Sequence, residues 1–184
     1  MNRESHIKRK VILLEESAGM HDIGNKGRRL GELRRSRSSL FTVPKGIILT
    51  TECLNYFVVD ETNYEKLILP EIENIFPIKE STAYAVRSCG SNEDGSGGSL
   101  AGKFDTVLNV KKSGMKKAIR SVIRSFNSPE QNSDAVIIQE MADVDIAGVM
   151  FTAAPDNPFL TLIEYAEGLA DRLVSGMVVP AQIF

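Results

Sequence analysis

The stretch Cys89-Gly90-Ser91-Asn92-Glu93-Asp94-Gly95-Ser96-Gly97-Gly98-Ser99 has the composition of a loop that can turn backbone N–H groups onto phosphate oxygens, because glycine lets successive peptide planes face inward without a Cβ in the way. Arg87 before it and Lys103 near its end could add positive charge. Lys26, held in Gly24-Asn25-Lys26-Gly27 at the mouth of a basic helix, could reach a phosphate as a point charge. Two common nucleotide fingerprints do not fit. Gly95-Ser96-Gly97 opens a dinucleotide pattern whose third glycine falls on Leu100. Gly97 to Lys103 satisfies a P-loop up to the magnesium-binding Ser or Thr, which is Phe104 here, and a strand follows where a helix is required. On composition alone such a loop is more often a turn than a site.

Other chemistry is thinly represented. Glu93-Asp94, Asp143/Asp145 and Glu164/Glu167/Asp171 are the acidic groupings that could assist magnesium, an ion usually held by one or two carboxylates together with substrate phosphates. As solvated pairs they need no ligand. His6 and His21 have no Cys or His at zinc-ligand spacing, and no G-x-S-x-G elbow is present. Cys89 sits two residues after Arg87, but a small buried side chain is the simpler role for it.

The elements that must position these residues can be read from pattern. Lys10–Leu14 and Gly46–Thr50 read as strands, and Thr50-Thr51 caps a helix through Phe57. A short helix after Gly27 should bury Leu30 and Leu33. Asn63–Phe76 is helical but contains Pro70, which splits it into two pieces. Thr82–Ser88 and Asp105–Val110 are strands on either side of the Gly/Ser loop. Lys112–Phe126 is the clearest amphipathic helix, with Met115, Ala118, Ile119, Val122, Ile123 and Phe126 on one face. The polar run Asn127–Asp134 marks a boundary between lobes, and Ala135–Glu140, Ile146–Thr152, Phe159–Glu164 and Met177–Phe184 read as strands beyond it.

With 184 residues, 42% hydrophobic and 25% charged, the chain can bury a core, as one domain or two small lobes sharing a cleft. The net charge of −2 does not suit a general polyanion binder. It is unevenly spread: residues 1–50 carry 11 basic and 5 acidic groups, and residues 51–110 carry 4 and 10. Arg28, Arg29, Arg34, Arg35 and Arg37 supply much of the positive end; they read as a solvated helix face or as a nucleic-acid face without aromatics for stacking. No apolar run suffices to span a bilayer. Two cysteines make no disulfide framework, so a cytoplasmic protein, with neither membrane nor nucleic acid as partner, is expected.

The order of segments adds what no single motif supplies. Gly24-Asn25-Lys26-Gly27, Leu30-Gly31-Glu32-Leu33, Val43-Pro44-Lys45-Gly46 and Thr50-Thr51 resemble the opening of the N-terminal ATP-binding domain of the phosphoenolpyruvate synthase and pyruvate phosphate dikinase family. Ala85-Val86-Arg87-Ser88 through Glu93-Asp94 to Ser99-Leu100-Ala101-Gly102 and Asp105-Thr106 is similar to that family's A-V-R-S-S…E-D…S-F-A-G…T segment. Val136-Ile137-Ile138-Gln139, Ala147–Thr152 and the run from Ile163-Glu164 to Gly176 continue the match in order.

This resemblance implies an α/β (α+β) fold of ATP-grasp type, two lobes around a nucleotide cleft, with an N-terminal lobe over residues 1–130 that includes the phosphate loop 89–104, and strands of a second, incomplete lobe over 131–184. It implies a phosphotransferase that passes an ATP phosphate to a histidine on another domain or protein, with ATP and magnesium as cofactors. Lys26 and Arg87 would contact phosphates, and Arg87 is the candidate catalytic residue. Gly102, Lys103 and Thr106 would belong to the loop covering the phosphates, and Gln139, Glu140 and Met141 would flank the adenine. Departures from the pattern are that the segments between Thr51 and Ala83 and between Ser125 and Val136 are short, Gly168-Leu169-Ala170-Asp171 replaces G-L-G-E, and the chain stops at Phe184, before the strands that hold the metal. The metal ligands are therefore unassigned. The alternative expectation is a nucleotide-sensing or interaction module that keeps the fold without catalysis.

Overall fold

The computed structural model of the chain describes residues 10–20, 22–90, 106–126 and 134–184. They form two compact units, Met1–Met141 and Ala142–Phe184. The architecture is mixed α/β with two antiparallel sheets, consistent with an ATP-grasp-like nucleotide-binding domain.

In the first unit β1 (Val11–Leu13), β2 (Gly46–Leu49), β3 (Tyr84–Cys89), β4 (Thr106–Val110) and β5 (Ala135–Glu140) make one sheet in the order β1-β2-β5-β3-β4. Successive side chains point to opposite faces, and the sequence of each strand is sorted accordingly. Ile47, Leu49, Tyr84, Val86, Val136 and Ile138 face a core closed by α2 (Thr51–Val59), α3 (Leu69–Ile75) and α4 (Met115–Ser125). Ile12, Ile48, Cys89, Ala135 and Ile137 face the other way and meet Leu14 and Ile23, beside α1 (Gly24–Ser36).

Local chemistry explains several boundaries. The Thr50 hydroxyl oxygen accepts from Cys53 N at 3.5 Å and caps α2 as expected. The expected two pieces at Pro70 are the π-turn Tyr64–Ile68, in which Leu69 N–H donates to Tyr64 O, and α3. Proline then falls in the first turn of α3, where its missing N–H costs nothing. Helix α1 starts earlier than expected, at Gly24, and its buried positions are Gly27 and Gly31. Leu33, expected to be buried, is 47% exposed because this glycine stripe is what packs inward.

The expected lobe boundary near residue 130 meets a different arrangement. Strand β5 hydrogen-bonds between β2 and β3 at the centre of the first sheet, and the division falls after Met141. Ala135 to Ile138 are apolar and fully buried, so the strand needs neighbours on both edges and a covered surface on both faces.

The second unit is a three-stranded sheet in the order β6 (Ile146–Phe151), β7 (Leu162–Glu167), β8 (Ala181–Ile183), with the short helix α5 (Ala170–Val174) between β7 and β8. Among the described residues, no helix is long and apolar enough to cross a membrane.

Candidate nucleotide site

Pairing register places Arg87 in a row that crosses the whole first sheet. Ile12 pairs with Ile48, Ile48 with Ile137, Ile137 with Arg87, and Arg87 with Thr106. Directly paired residues share a face, so three buried isoleucines lead to a half-buried guanidinium and an exposed threonine. Arg87 makes no ion pair among the described residues. One row further along, Gly46, Gln139 and Ala85 are aligned on the same face.

The Gly24–Gly27 segment docks onto the end of β3. Lys26 Nζ donates to Ser88 O at 3.1 Å, one residue from Arg87. Gly27 N–H donates to Cys89 Sγ at 3.0 Å, and the Cys89 thiol donates to Ile23 O at 2.7 Å. Cys89 is fully buried and serves as a hydrogen-bonded packing residue. The glycines are required by proximity: Gly24 has φ +71°, and a Cβ there would lie 3.1 Å from the backbone and Sγ of Cys89. A Cβ on Gly27 would meet Ile48 Cδ1 at 2.9 Å. Two motifs about sixty residues apart in sequence thus meet at the end of β3.

Gln139 is nine-tenths buried, and its Nε2 donates to Pro44 O at 3.1 Å. Glu140 N–H donates to Lys45 O at 2.8 Å and Met141 N–H to Ala83 O at 2.9 Å, so the chain is tied on both sides before it leaves the first unit. Met141 Sδ accepts from Asn109 N–H at 3.1 Å. Asn109 has φ +56° where the β3–β4 register slips, a conformation that asparagine tolerates better than most residues. Sequence reading passed over Asn109; an asparagine inside the β-branched run Thr106–Val110 was the available signal.

Of the other anticipated site residues, Thr106 is on the Arg87 row, while Gly102 and Lys103 lie outside the described residues, as do most of the Gly/Ser loop, Glu93-Asp94 and both histidines. Among the described residues no three His, Cys, Asp or Glu side chains converge as a metal site. The arginine run is not a uniform cationic stripe either. Arg28 pairs with Glu32 and Arg34 with Glu15, each at 2.8 Å.

The chain is similar to known proteins over most of its length. Residues 66–184 match the family model described as pyruvate phosphate dikinase, AMP/ATP-binding domain. That match includes Arg87 and Gln139–Met141 and begins after Lys26. A probable phosphoenolpyruvate synthase of Methanothermobacter thermautotrophicus is 28% identical over 93% of this chain and 33% of its own length. A rifampicin phosphotransferase of a Streptomyces species is 29% identical over 90% of this chain and 25% of its own. One from Bacillus cereus is 36% identical over 52% of this chain and 13% of its own. The chain therefore spans a third or less of these relatives. The first alignment runs over 232 residues, more than this chain contains, so that relative carries inserted segments absent here. With a family model matching well over half its residues, the chain belongs to the AMP/ATP-binding domain family of pyruvate phosphate dikinase, shared with phosphoenolpyruvate synthases.

Proposed function

We propose that this domain holds ATP against the Lys26–Arg87 surface and presents a phosphoryl group to a histidine carried on another domain or protein. The observation that carries the reading is the docking of Lys26 beside Ser88, which puts its ammonium next to the Arg87 strand. Phosphoryl transfer asks a protein mainly for fixed positive charge and backbone donors around the phosphates, and Lys26 and Arg87 would supply the charge. Thr106, level with Arg87, and the residues Gly102 and Lys103 would contribute to covering the phosphates. Gln139, Glu140 and Met141 would flank the base, with Met141 offering a polarizable apolar contact. Arg87, carrying permanent charge, would stabilise the transferring group. Magnesium belongs to the proposal as a counter-ion brought in on the phosphate oxygens of ATP; no protein ligand is assigned to it and no step is routed through it.

The test is calorimetric titration of the chain with ATP and with AMP, in the wild type and in Arg87→Ala. Tighter binding of ATP than of AMP, with the difference reduced at least tenfold by the substitution, is the expected outcome. Equal affinity for the two nucleotides, or an unaffected variant, removes the phosphate role. Radiolabel appearing on a histidine of an added partner domain, with release of AMP, tests the transfer step separately.

A further inference from the structure

A concave site lies at the other end of α1. The helix C-terminus, the turn Leu14–Ser17 and the segment Arg37–Val43 enclose an open cavity of about 760 Å³, within the size range of small-molecule pockets. Its walls are of two kinds. Leu33 and Phe41, both about half exposed, together with Val43 form an apolar side. The charged groups divide sharply by whether they already have partners. Glu15 is paired with Arg34, whose Nη1 also donates to Val43 O at 2.6 Å. Glu16 accepts from Leu13 N–H at 2.9 Å. Arg35 and Arg37 have no hydrogen bond or ion pair among the described residues, and both line the cavity.

Arg37 is also conformationally expensive. It ends α1 with φ 47° and ψ 40°, the left-handed position that helices usually give to glycine or asparagine. An arginine there costs stability that a glycine would not, and strain of this sort is retained where the side chain has a use.

We propose that this pocket binds a small organic anion, a phosphate or carboxylate on an aromatic or aliphatic body, with Arg35 and Arg37 on the anionic group and Leu33, Phe41 and Val43 against the body. Guanidinium forks match phosphate and carboxylate oxygens, and the satisfied acids nearby leave the two arginines as the uncommitted charges. The site shares no lining residue with the proposed nucleotide surface.

The experiment is a two-dimensional NMR titration of the whole chain with phenyl phosphate, inorganic phosphate and benzyl alcohol. Phenyl phosphate should shift the amides of residues 33–43 saturably and bind at least tenfold more tightly than either single-feature probe. Arg35→Ala combined with Arg37→Gly should weaken it at least tenfold, whereas Lys26→Met should leave it unchanged. Because glycine suits the left-handed position, Arg37→Gly alone should melt no lower than wild type while binding more weakly, which separates ligand recognition from folding. Shifts centred on Lys26 and Arg87, undiminished affinity in the double variant, or no saturable binding at millimolar probe would each overturn the proposal.

Discussion

Lys26 Nζ lies 3.1 Å from the carbonyl oxygen of Ser88, so a lysine at a helix start meets the Arg87 strand 62 residues later. The contact is made possible by Gly24 and Gly27, which let α1 approach Cys89 closely. It fixes the ammonium against a backbone acceptor of β3.

Replacing Lys26 by methionine keeps the length of the side chain and removes its charge. ATP affinity should fall at least tenfold, about 1.4 kcal/mol, while AMP binding changes less, because AMP brings fewer phosphate charges to the site. Loss of the bond to Ser88 should cost about 1 kcal/mol of stability or less. Calorimetry with the two nucleotides, alongside urea unfolding, checks both parts. An equal loss for ATP and AMP would point to a packing role.

Gly31 is the tightest point under α1. A Cβ there would lie 2.2 Å from Ser17 Oγ and 2.6 Å from Leu14 O, and Ser17 is itself fully buried, with its Oγ 2.6 Å from Leu14 O and 2.9 Å from Gly27 O. Gly31→Ala should therefore destabilise the chain by about 1–3 kcal/mol, the usual cost of overpacking, despite alanine's better helix propensity. Denaturant midpoints of the two proteins decide the sign.

Gln139 tests whether a residue anticipated beside the base is also a structural tie. Its Nε2 holds Pro44 O at 3.1 Å in a nine-tenths buried position. Gln139→Leu removes the donor and leaves a carbonyl without it, for a loss of about 1–3 kcal/mol. If the side chain only ties β5 to the Val43–Gly46 segment, ATP affinity measured well below the melting temperature stays within a few-fold of wild type. A tenfold loss without unfolding supports contact with the nucleotide.

What could be read in the sequence was what local pattern determines. Strands β2 and β5 are short apolar runs, Thr50 is a cap by type and position, and α4 carries its buried face at three- and four-residue steps. Pattern was blind to partners. Nothing local says that Ala135–Glu140 inserts between β2 and β3, since strand pairing is a long-range property. Nor could periodicity find the inward face of α1, which is built from Gly27 and Gly31 and so has no apolar stripe to detect. Lys26 and Arg87 were legible by residue type, but the docking of the Gly24–Gly27 segment on β3 depended on the Cys89 hydrogen bonds, which join positions 62 and 66 residues apart.

Alkaline stability follows from two buried acids of the first core. Burial pushes the Cys53 thiol up to about 12, helped by Glu71, and burial pushes the Tyr64 phenol up to about 12, helped by Glu65 and Glu73. Both groups remain protonated in the folded chain at a pH where the unfolded chain has begun to lose those protons. The folded state then binds more protons than the unfolded one, so stability falls as pH rises. The contribution is fully present below about pH 9 and is lost progressively between there and about pH 12. Urea unfolding should give a declining midpoint across that window, and Cys53→Ala should flatten the first part of the decline while lowering stability at neutral pH through the lost packing. A slope unchanged by the substitution would assign the alkaline loss to Tyr64, and would mean that the thiol is more accessible than its place on the buried face of α2 requires.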